Sequence, residues 1–185
     1  MKPRLLLHTC CAPCSTHCVK EMLDQYDITM YFYNPNIHPY GEYMRRLEGT
    51  EKIKQAFSVP VEEGNYDPEW WLEMIQGFEN EPEGGKRCDI CFSVRLKQAA
   101  KYAKDNGFDC FTTTMTISPY KDAEKINSIG REFAKKFGIS WVPSDFKKDE
   151  GFRKASEMGQ ELGLYWQKYC GCFYSVRSNI ASPKE

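Results

Sequence analysis

Three cysteines lie within five positions near the start of this sequence, in the segment HTCCAPCS at residues 8–15. Two further groups follow, Cys88-Asp89-Ile90-Cys91 and Cys170-Gly171-Cys172. Thiolate sulfur binds soft metal ions strongly, and a C-x-x-C pair at the start of a helix lets two sulfurs approach one ion. The spacing therefore indicates metal ligation, and the candidate ligands in the first two groups are Cys10, Cys11, Cys14, Cys88 and Cys91.

The spacing alone leaves the identity of the metal open. Two cysteine pairs from separate segments supply four sulfurs, which suits tetrahedral zinc or an iron–sulfur cluster. One zinc ion needs four ligands, whereas the three groups offer seven cysteines. The adjacent Cys10 and Cys11 also fit one closed tetrahedral site poorly, because neighbouring side chains usually diverge. Two neighbouring centres, or a cluster beside a redox-active thiol pair, use the surplus better than one structural zinc site.

Asp89 and the C-terminal cysteine pair each have two interpretations. Asp89 is either an oxygen ligand for a second, more Lewis-acidic ion or a negative charge at a helix N-terminus. Cys170 and Cys172 form either a strained, oxidising disulfide or two unrelated thiols in an aromatic turn, and one of them could be a ligand. The other two cysteines, Cys18 and Cys110, are expected to pack in the core.

Alternating strands and amphipathic helices are expected to position these groups. Strands are predicted over residues 4–9, 28–35, 59–64, 108–116 and 139–146. Helices are predicted over residues 14–26, 42–59, 67–78, 88–107 and 151–163, and after a loop within 117–138. This alternation, without hairpin signals, predicts a three-layer α/β fold with a parallel sheet. The working site of such a sheet lies beyond the carboxyl ends of its strands, where the first cysteine group falls.

Polar loops follow the second and fourth predicted strands at the same edge of the sheet. Asn34, His38 and Tyr40 lie in the first loop and Lys121 in the second, and these four are candidate substrate-binding residues. Turn and strand propensities explain both loops as well. Residues 147–175 interleave basic and aromatic side chains, which is typical of RNA recognition but also of a solvated helix followed by a hydrophobic closing segment.

Length and composition limit the function classes. A chain of 185 residues, 41% hydrophobic and 28% charged, is expected to form one domain over residues 1–185, with residues 147–185 closing the site. The net charge of −1 argues against non-specific coating of nucleic acid. No apolar run approaches a membrane span or a signal peptide, so a cytoplasmic location is expected. The motifs of serine hydrolases, P-loop proteins, dinucleotide-binding proteins and zinc proteases are absent.

Several segments together resemble the QueH family of epoxyqueuosine reductases. They are LLLHTCCAPCS, YFYNPNIHPYGEYMRR, RCDICFSVRL, FTTTMTISPYKD and KKDEGFRKASEMGQELGLYWQKYCGCFYS, and they extend from about residue 4 to residue 178. The resemblance implies a HUP-like (adenine nucleotide alpha hydrolase-like) domain in which cysteines replace the phosphate loop. It also implies an oxidoreductase that removes an epoxide oxygen with two electrons, converting epoxyqueuosine at the wobble position of tRNA to queuosine without cobalamin.

The same resemblance implies a [4Fe–4S] cluster, an additional mononuclear iron, a tRNA substrate and an external electron donor. Under it, Cys10, Cys11, Cys88 and Cys91 hold most of the cluster, while Cys14, Asp89 or a C-terminal cysteine helps to bind the iron. Asp89, Cys170 and Cys172 are then the expected catalytic residues, with the last two as ligand or electron-shuttling dithiol.

Two other function classes fit parts of the sequence. One is a zinc-stabilised RNA-binding module, in which the thiols only fold the protein. The other is a cluster-containing, ATP-using tRNA thiolase on the same type of fold. The lack of a glycine-rich S-G-G-x-D-S-type loop after the first strand argues against ATP use.

Overall fold

A computed structural model of the chain describes residues 1–180, and it describes side chains for residues 1–176. The last part of the predicted C-terminal extension, residues 181–185, lies outside the described residues. No helix among the described residues has both the length and the apolar character that a membrane crossing requires.

A five-stranded parallel sheet forms the centre of the fold, in the order β3-β2-β1-β4-β5. Its strands are β1 (Arg4–His8), β2 (Asp27–Phe32), β3 (Val61–Glu63), β4 (Cys110–Thr113) and β5 (Ser140–Trp141). The chain builds outward from β1 to β3 on one side and then from β4 to β5 on the other. The point where strand order reverses therefore lies between the carboxyl ends of β1 and β4, the usual ligand site of such sheets.

Within residues 1–180, seven helices and two 3-10 turns accompany the strands. The helices are α1 (Ala12–Met22), α2 (Tyr40–Phe57), α3 (Pro68–Met74), α4 (Lys86–Asp105), α5 (Ala123–Phe137), α6 (Gly151–Glu161) and α7 (Phe173–Ile180), and the 3-10 turns are Thr114–Ile117 and Lys148–Glu150. Each predicted helix is present, with ends displaced by a few residues. The predicted three-layer α/β fold is thus confirmed.

The core lies on both faces of the sheet because successive side chains of β1 point to opposite sides. Leu6 packs with residues of α3, α4 and α5, whereas Leu5 and Leu7 pack with residues of α1, α2 and α6. Cys18 and Cys110 are buried in the second of these clusters, as predicted. This double burial explains why β1 is a continuous apolar run rather than an alternating one.

Three elements differ from the sequence prediction. The strand expected over 108–116 ends at Thr113, because the Thr113 hydroxyl accepts a hydrogen bond from the amide of Met115 at 3.2 Å and begins a 3-10 turn. The strand expected over 139–146 contains only Ser140 and Trp141. The Val142 amide still donates to the Phe111 carbonyl at 3.0 Å, but Ser144 pairs with the Asn127 side chain instead of with β4. The helix α7 was not predicted, because its aromatic residues have weak helix propensity.

Candidate metal centre

The end of β1 is tied to both of its neighbours by His8. The imidazole Nε2 lies 3.1 Å from the carbonyl oxygen of Tyr33, and Nδ1 lies 2.8 Å from the hydroxyl of Thr113. A carbonyl can only accept, so Nε2 carries the proton and Nδ1 accepts from Thr113. Burial lowers the pKa of His8 to about 4, which keeps this bridge neutral. The three strand ends that surround the site are therefore held together by one uncharged side chain.

The first cysteine group lies at the turn from β1 into α1. Cys10 Sγ lies 3.8 Å from the hydroxyl of Thr114, which follows β4, so the thiol stands at the strand-order reversal. Hydrogen bonds from the thiols of Cys11 and Cys14 hold the pKa of Cys10 well below its usual value. Burial raises the pKa of Cys11 to about 12, and the hydrogen bonds to Cys10 raise that of Cys14. Of the three thiols, Cys10 is therefore the one whose negatively charged form its neighbours favour most.

The second cysteine group opens helix α4. Cys88 lies in its first turn, and the backbone N–H of Gly84 donates to Cys88 Sγ at 3.2 Å. Cys91 follows one turn later, where its side chain is buried and its pKa is raised to about 12 by that burial. Burial raises the pKa of Cys88 as well, and the Gly84 N–H and the N-terminus of α4 act against that rise at Cys88.

Contacts around Gly171 hold the third cysteine group, Cys170-Gly171-Cys172, against the loop that follows β2. The carbonyl of Gly171 accepts from the amide of His38 at 2.8 Å, and the Tyr169 hydroxyl donates to the His38 carbonyl. The φ angle of Gly171 is +134°, and an added Cβ would lie 3.0 Å from Ile37 Cγ1. A side chain at this position would be both strained and crowded. The glycine of the C-G-C segment therefore allows the chain to turn against the loop that follows β2.

All seven clustered cysteines line two adjoining cavities. The larger one, of about 300 Å³, is lined by Cys10, Cys11, Cys14 and Cys170 among other residues. The smaller one, of about 20 Å³, is lined by Cys88, Cys91, Cys170 and Cys172. Cys170 lies in both walls. The fold thus brings together thiols from three segments that are far apart in the chain.

Three of the cations that line these cavities interact electrostatically with the cysteine sulfurs. Arg46 and Arg95 are buried, and Lys121 is half-buried. Although burial opposes its charge, the sulfurs of Cys170 and Cys10 raise the pKa of Lys121. Such a concentration of positive charge next to cysteines compensates an anionic sulfur centre.

Arg95 is the most isolated of the three cations. Its Nη1 lies 3.4 Å from Asn34 Oδ1 and its Nε lies 3.4 Å from the Cys91 carbonyl, both weak contacts. Its Nη2 is buried without a hydrogen-bond partner among the described residues. Leaving a buried charged donor unpaired costs free energy, and Arg95 lines both cavities. The guanidinium is therefore suited to an anionic group held by the cysteines.

The donor set fits a sulfur-ligated cluster better than a single ion. Within residues 1–176, no three ligand-type side chains are already arranged around one ion position. The thiols instead line the walls of two cavities that share Cys170, with cations between them. Soft thiolate ligands distributed around a larger volume suit a multi-iron cluster.

One expectation is corrected by the structure and another stays a prediction. The Asp89 carboxylate lies 3.0 Å from Lys125 Nζ on helix α5 and lines neither cavity, and its expected role as an iron ligand and catalytic residue stays a prediction. A disulfide between Cys170 and Cys172 is not formed, and all nine cysteines, each within the described part of the chain, are free thiols.

Of the four candidate substrate-binding residues, Lys121 alone lines the cavities. Asn34 is buried behind them and donates to the Thr9 carbonyl at 2.9 Å, so it supports the cysteine turn. The ring of His38 stacks on Phe173 at 4.5 Å between centroids. Tyr40 is 60% exposed and stacks on the ring of Tyr43, away from both cavities.

The basic and aromatic C-terminal segment divides into two parts. Trp166, Lys168 and Tyr169 line the larger cavity, and closure of the site by residues 147–185 stays a prediction. Arg153 instead pairs with Glu150 and Glu157 on the outer surface of α6. The segment is therefore only partly directed to the site.

Sequence reasoning missed Arg46, Arg95 and Tyr120 as site residues. Arg95 lies four residues after Cys91, on the same face of α4, and this spacing was a usable signal. Arg46 has no comparable signal, because its partners Tyr169 and Cys170 are more than 120 positions away. Tyr120 lines both cavities from the loop before α5.

Comparisons with known proteins agree with this arrangement. A model of the family described as Epoxyqueuosine reductase QueH matches residues 5–178. A protein named Epoxyqueuosine reductase QueH from Streptococcus pyogenes is 42% identical over 183 residues, covering 96% of this chain and 72% of that protein. Proteins of the same name from Thermotoga maritima and Dehalococcoides mccartyi are 34% and 32% identical, over 93% and 99% of this chain and 90% and 98% of theirs.

A solved structure shares the fold. The U34-tRNA thiolase NcsA from Methanococcus maripaludis, solved with its [4Fe-4S] cluster, superposes with a TM-score of 0.58 at 13% sequence identity. The match covers 97% of this chain but 65% of the thiolase chain, so this chain spans about two thirds of that protein. At this identity the likeness establishes a HUP-like fold. The match of the family model over nearly the whole chain, together with these full-length relatives, shows that the chain belongs to the QueH family of epoxyqueuosine reductases.

Proposed function

We propose that this oxidoreductase converts epoxyqueuosine in tRNA to queuosine, the last step in making that modified nucleoside. The reaction adds two electrons and two protons to the epoxide. Both carbon–oxygen bonds of the three-membered ring break, a carbon–carbon double bond forms, and the oxygen leaves as water. The observation that carries this proposal is the collection of seven cysteines around two adjoining cavities at the strand-order reversal.

For the cofactors, we assign the [4Fe–4S] ligands to Cys10 and Cys11 of the larger cavity and to Cys88 and Cys91 of the adjoining smaller one. When bound, the cluster would supply electrons one at a time, and an additional iron would act as a Lewis acid towards the epoxide oxygen. Cys14 and Cys170 are the assigned ligands of that iron. Asp89 is not included because Lys125 already pairs with its carboxylate.

The side chains around the thiols supply charge and a proton. Lys121 lies in the wall shared by both cavities and is protonated, so its Nζ can donate a hydrogen bond to an oxygen that becomes negative. Arg95 offers the unpartnered Nη2 in the same wall. Positive charges fixed in a buried site stabilise a developing anion more strongly than water does.

The apolar wall of the smaller cavity limits the access of water. Trp71 is fully buried and Phe92 nearly so, and both line this cavity beside Cys88 and Cys91. Exclusion of water strengthens the interactions of the cations and protects sulfur ligands from side reactions.

The proposed reaction also needs an external electron donor, which is an unidentified partner. The proposed location is the cytoplasm, where tRNA is modified.

The geometry favours reduction over the two alternative functions. An ATP-using thiolase needs free backbone N–H groups at the helix after β1, but α1 begins with Ala12 and Pro13 and contains no glycine there. A structural zinc site would use four of the thiols and leave three, beside buried cations that zinc does not require.

The test begins with anaerobic purification and measurement of iron, zinc and acid-labile sulfide per chain. The protein is then incubated with tRNA containing epoxyqueuosine and a chemical reductant, and digested nucleosides are analysed by mass spectrometry. We expect iron in excess of sulfide and a product that has lost one oxygen atom, without added ATP. Zinc without sulfide, or strict dependence on ATP, would contradict the proposal.

Cysteine variants provide the matched control for this test. Cys88→Ser should abolish both the colour of the protein and turnover. Cys110→Ala removes a thiol that is buried in β4 and lines neither cavity, so this variant should retain the cluster. Equal loss in both variants would indicate general unfolding instead of ligand loss.

A further inference from the structure

We propose that Tyr120 and Trp166 form a stacking site for unpaired RNA bases at the opening of the larger cavity. The inference rests on the proposed RNA substrate and adds the residues that hold the strand next to the nucleotide being reduced. Both side chains line the larger cavity, and both are exposed large aromatic residues. Neither is needed to complete the core.

Tyr120 is exposed to a degree that packing does not explain. Its relative exposure is 82%, whereas Tyr31 and Tyr43 are 1% exposed. Among the described residues, no aromatic ring stacks on the Tyr120 ring, although rings elsewhere in the chain pair freely. A large exposed aromatic side chain on the wall of a site is typical of ligand contact.

The backbone below this ring is well fixed. The amide of Tyr120 donates to the Ser118 hydroxyl at 3.3 Å, and the amide of Lys121 donates to the Ser118 carbonyl at 3.2 Å. Lys147 Nζ then donates to the Lys121 carbonyl at 2.8 Å. The turn is therefore held in place while the ring remains uncovered, which reduces the ordering cost of binding.

Trp166 is a second fixed ring on the same cavity. Its indole makes an edge-to-face contact with Phe152 of α6, with centroids 5.8 Å apart and planes at 74°. It nevertheless remains 38% exposed. A ring held on one side and exposed on another is a stable platform for a nucleobase.

The charge of the cavity wall favours RNA as the occupant. The larger cavity is lined by four cationic side chains, Arg46, Arg95, Lys121 and Lys168, against the single carboxylate of Glu83. Arg46 and Arg95 are buried, whereas Lys121 is half-buried and Lys168 is exposed, so these two lysines carry the positive charge at the opening itself. Cations close to exposed rings bind phosphate and base together, which is the recognition mode of single-stranded RNA.

An RNA-binding measurement tests this site without relying on turnover. The probe is a fluorescein-labelled RNA stem–loop with guanosine at the wobble position, and anisotropy reports its affinity for the metal-loaded protein. Tyr120→Ala should bind about tenfold more weakly, as expected for the loss of one stacked base. Tyr120→Phe should remain within about twofold of the wild type, since the ring is retained. Tyr120→Leu, which is apolar without an aromatic face, should resemble Tyr120→Ala.

Two controls and a second test variant separate the possible outcomes. A duplex RNA without a loop should bind all variants equally, because its bases are not free to stack. Met74→Ala removes an exposed side chain that lines neither cavity, and it should bind the stem–loop like the wild type. Trp166→Ala should weaken stem–loop binding in the same direction as Tyr120→Ala.

Equal stem–loop affinity of the wild type and Tyr120→Ala would overturn the stacking site, even if the reductase activity is present. A wild type that does not bind the stem–loop at all would instead count against the proposed RNA substrate. Another contrary result is that Tyr120→Ala binds RNA like the wild type but is reduced more slowly by a protein electron donor. That result would mean that the exposed rings contact the electron donor, and it would contradict the stacking site.

Discussion

Arg46 and Cys170 are 124 positions apart in the chain, and a hydrogen bond of 3.0 Å joins Arg46 Nη1 to the Cys170 carbonyl. The same guanidinium donates from Nη2 to the Tyr169 carbonyl at 3.0 Å and from Nε to Glu42 at 2.7 Å. All three donor nitrogens are thus used, and the side chain is buried. The position of the cysteine shared by both cavities therefore depends on one arginine of α2.

Replacing Arg46 by Met should displace the C-terminal cysteines and destabilise the fold. The substitution leaves the buried Glu42 carboxylate with only the exposed Arg45, 3.8 Å away, and frees two carbonyl groups, which costs about 3 kcal/mol in the free energy of unfolding. Cys170 and Cys172 of the metal-free protein should then react faster with iodoacetamide, as measured by peptide mass spectrometry.

The neighbouring residue provides the control for this prediction. Arg45 is mostly exposed, and its guanidinium packs over the Tyr165 ring. Arg45→Met should leave the reactivity of Cys170 unchanged. If the two variants alter Cys170 to the same extent, Arg46 has no special role in placing it.

Arg95→Met should raise the pKa of the Cys10 thiol in the metal-free protein. The guanidinium charge acts with the hydrogen bonds of Cys11 and Cys14 to favour the Cys10 thiolate, so its removal favours the neutral thiol. Alkylation of Cys10 at pH 7 should slow several-fold, and the pH profile should move to higher pH. Arg95→Lys retains the charge, so its pH profile should lie between those of the wild type and Arg95→Met. An unchanged profile in Arg95→Met would show that Arg95 does not stabilise the Cys10 thiolate.

Burial of the three histidines predicts that the stability of the fold falls as the pH is lowered. Burial lowers the pKa of His8 to about 4, and it also lowers those of His17 and His38 below 6.5. The unfolded chain binds a proton on His8 below pH 6.5 that the folded protein does not bind until about pH 4. Stability is therefore fully present above pH 6.5 and declines towards pH 4, by about 3 kcal/mol for His8.

Nuclear magnetic resonance titration of the imidazole protons in the metal-free protein measures this prediction directly. The His8 resonance should have its midpoint near pH 4. Urea unfolding at several pH values should show the matching loss of stability. A His8 midpoint near 6.5 would mean that the bridge to Tyr33 and Thr113 is absent in solution.

Asp89→Asn should retain the iron and sulfide content of the wild type. The Asp89 carboxylate is paired with Lys125 and lies outside both cavities, so it is not needed as a ligand. Iron and sulfide analysis after anaerobic reconstitution measures the outcome, with Lys125→Met as the control for loss of the ion pair. Selective loss of iron in Asp89→Asn would show that the carboxylate turns into the site when metal binds.

Much of the fold was predictable from local sequence. The apolar run of β1 predicted a strand buried on both faces, and the periodic apolar residues of α4 and α5 predicted helices. The 3-10 turn after β4 was not predictable from propensity, because threonine favours strands and the turn depends on the Thr113 hydroxyl accepting from Met115. Helix α7 was missed because its aromatic sequence also suits an irregular closing segment.

Local sequence was enough to identify the metal-ligating side chains, the family of the chain and the edge of the sheet at which the first cysteine group lies. Only the packing of distant elements shows that Cys170 lines both cavities, that Asp89 faces Lys125, and that Arg46 and Arg95 supply buried charge. Spacing encodes which residues of one helix or turn lie together, because local geometry repeats every few residues. Contacts such as Arg46–Cys170 depend on how distant elements pack, and no local pattern contains that information.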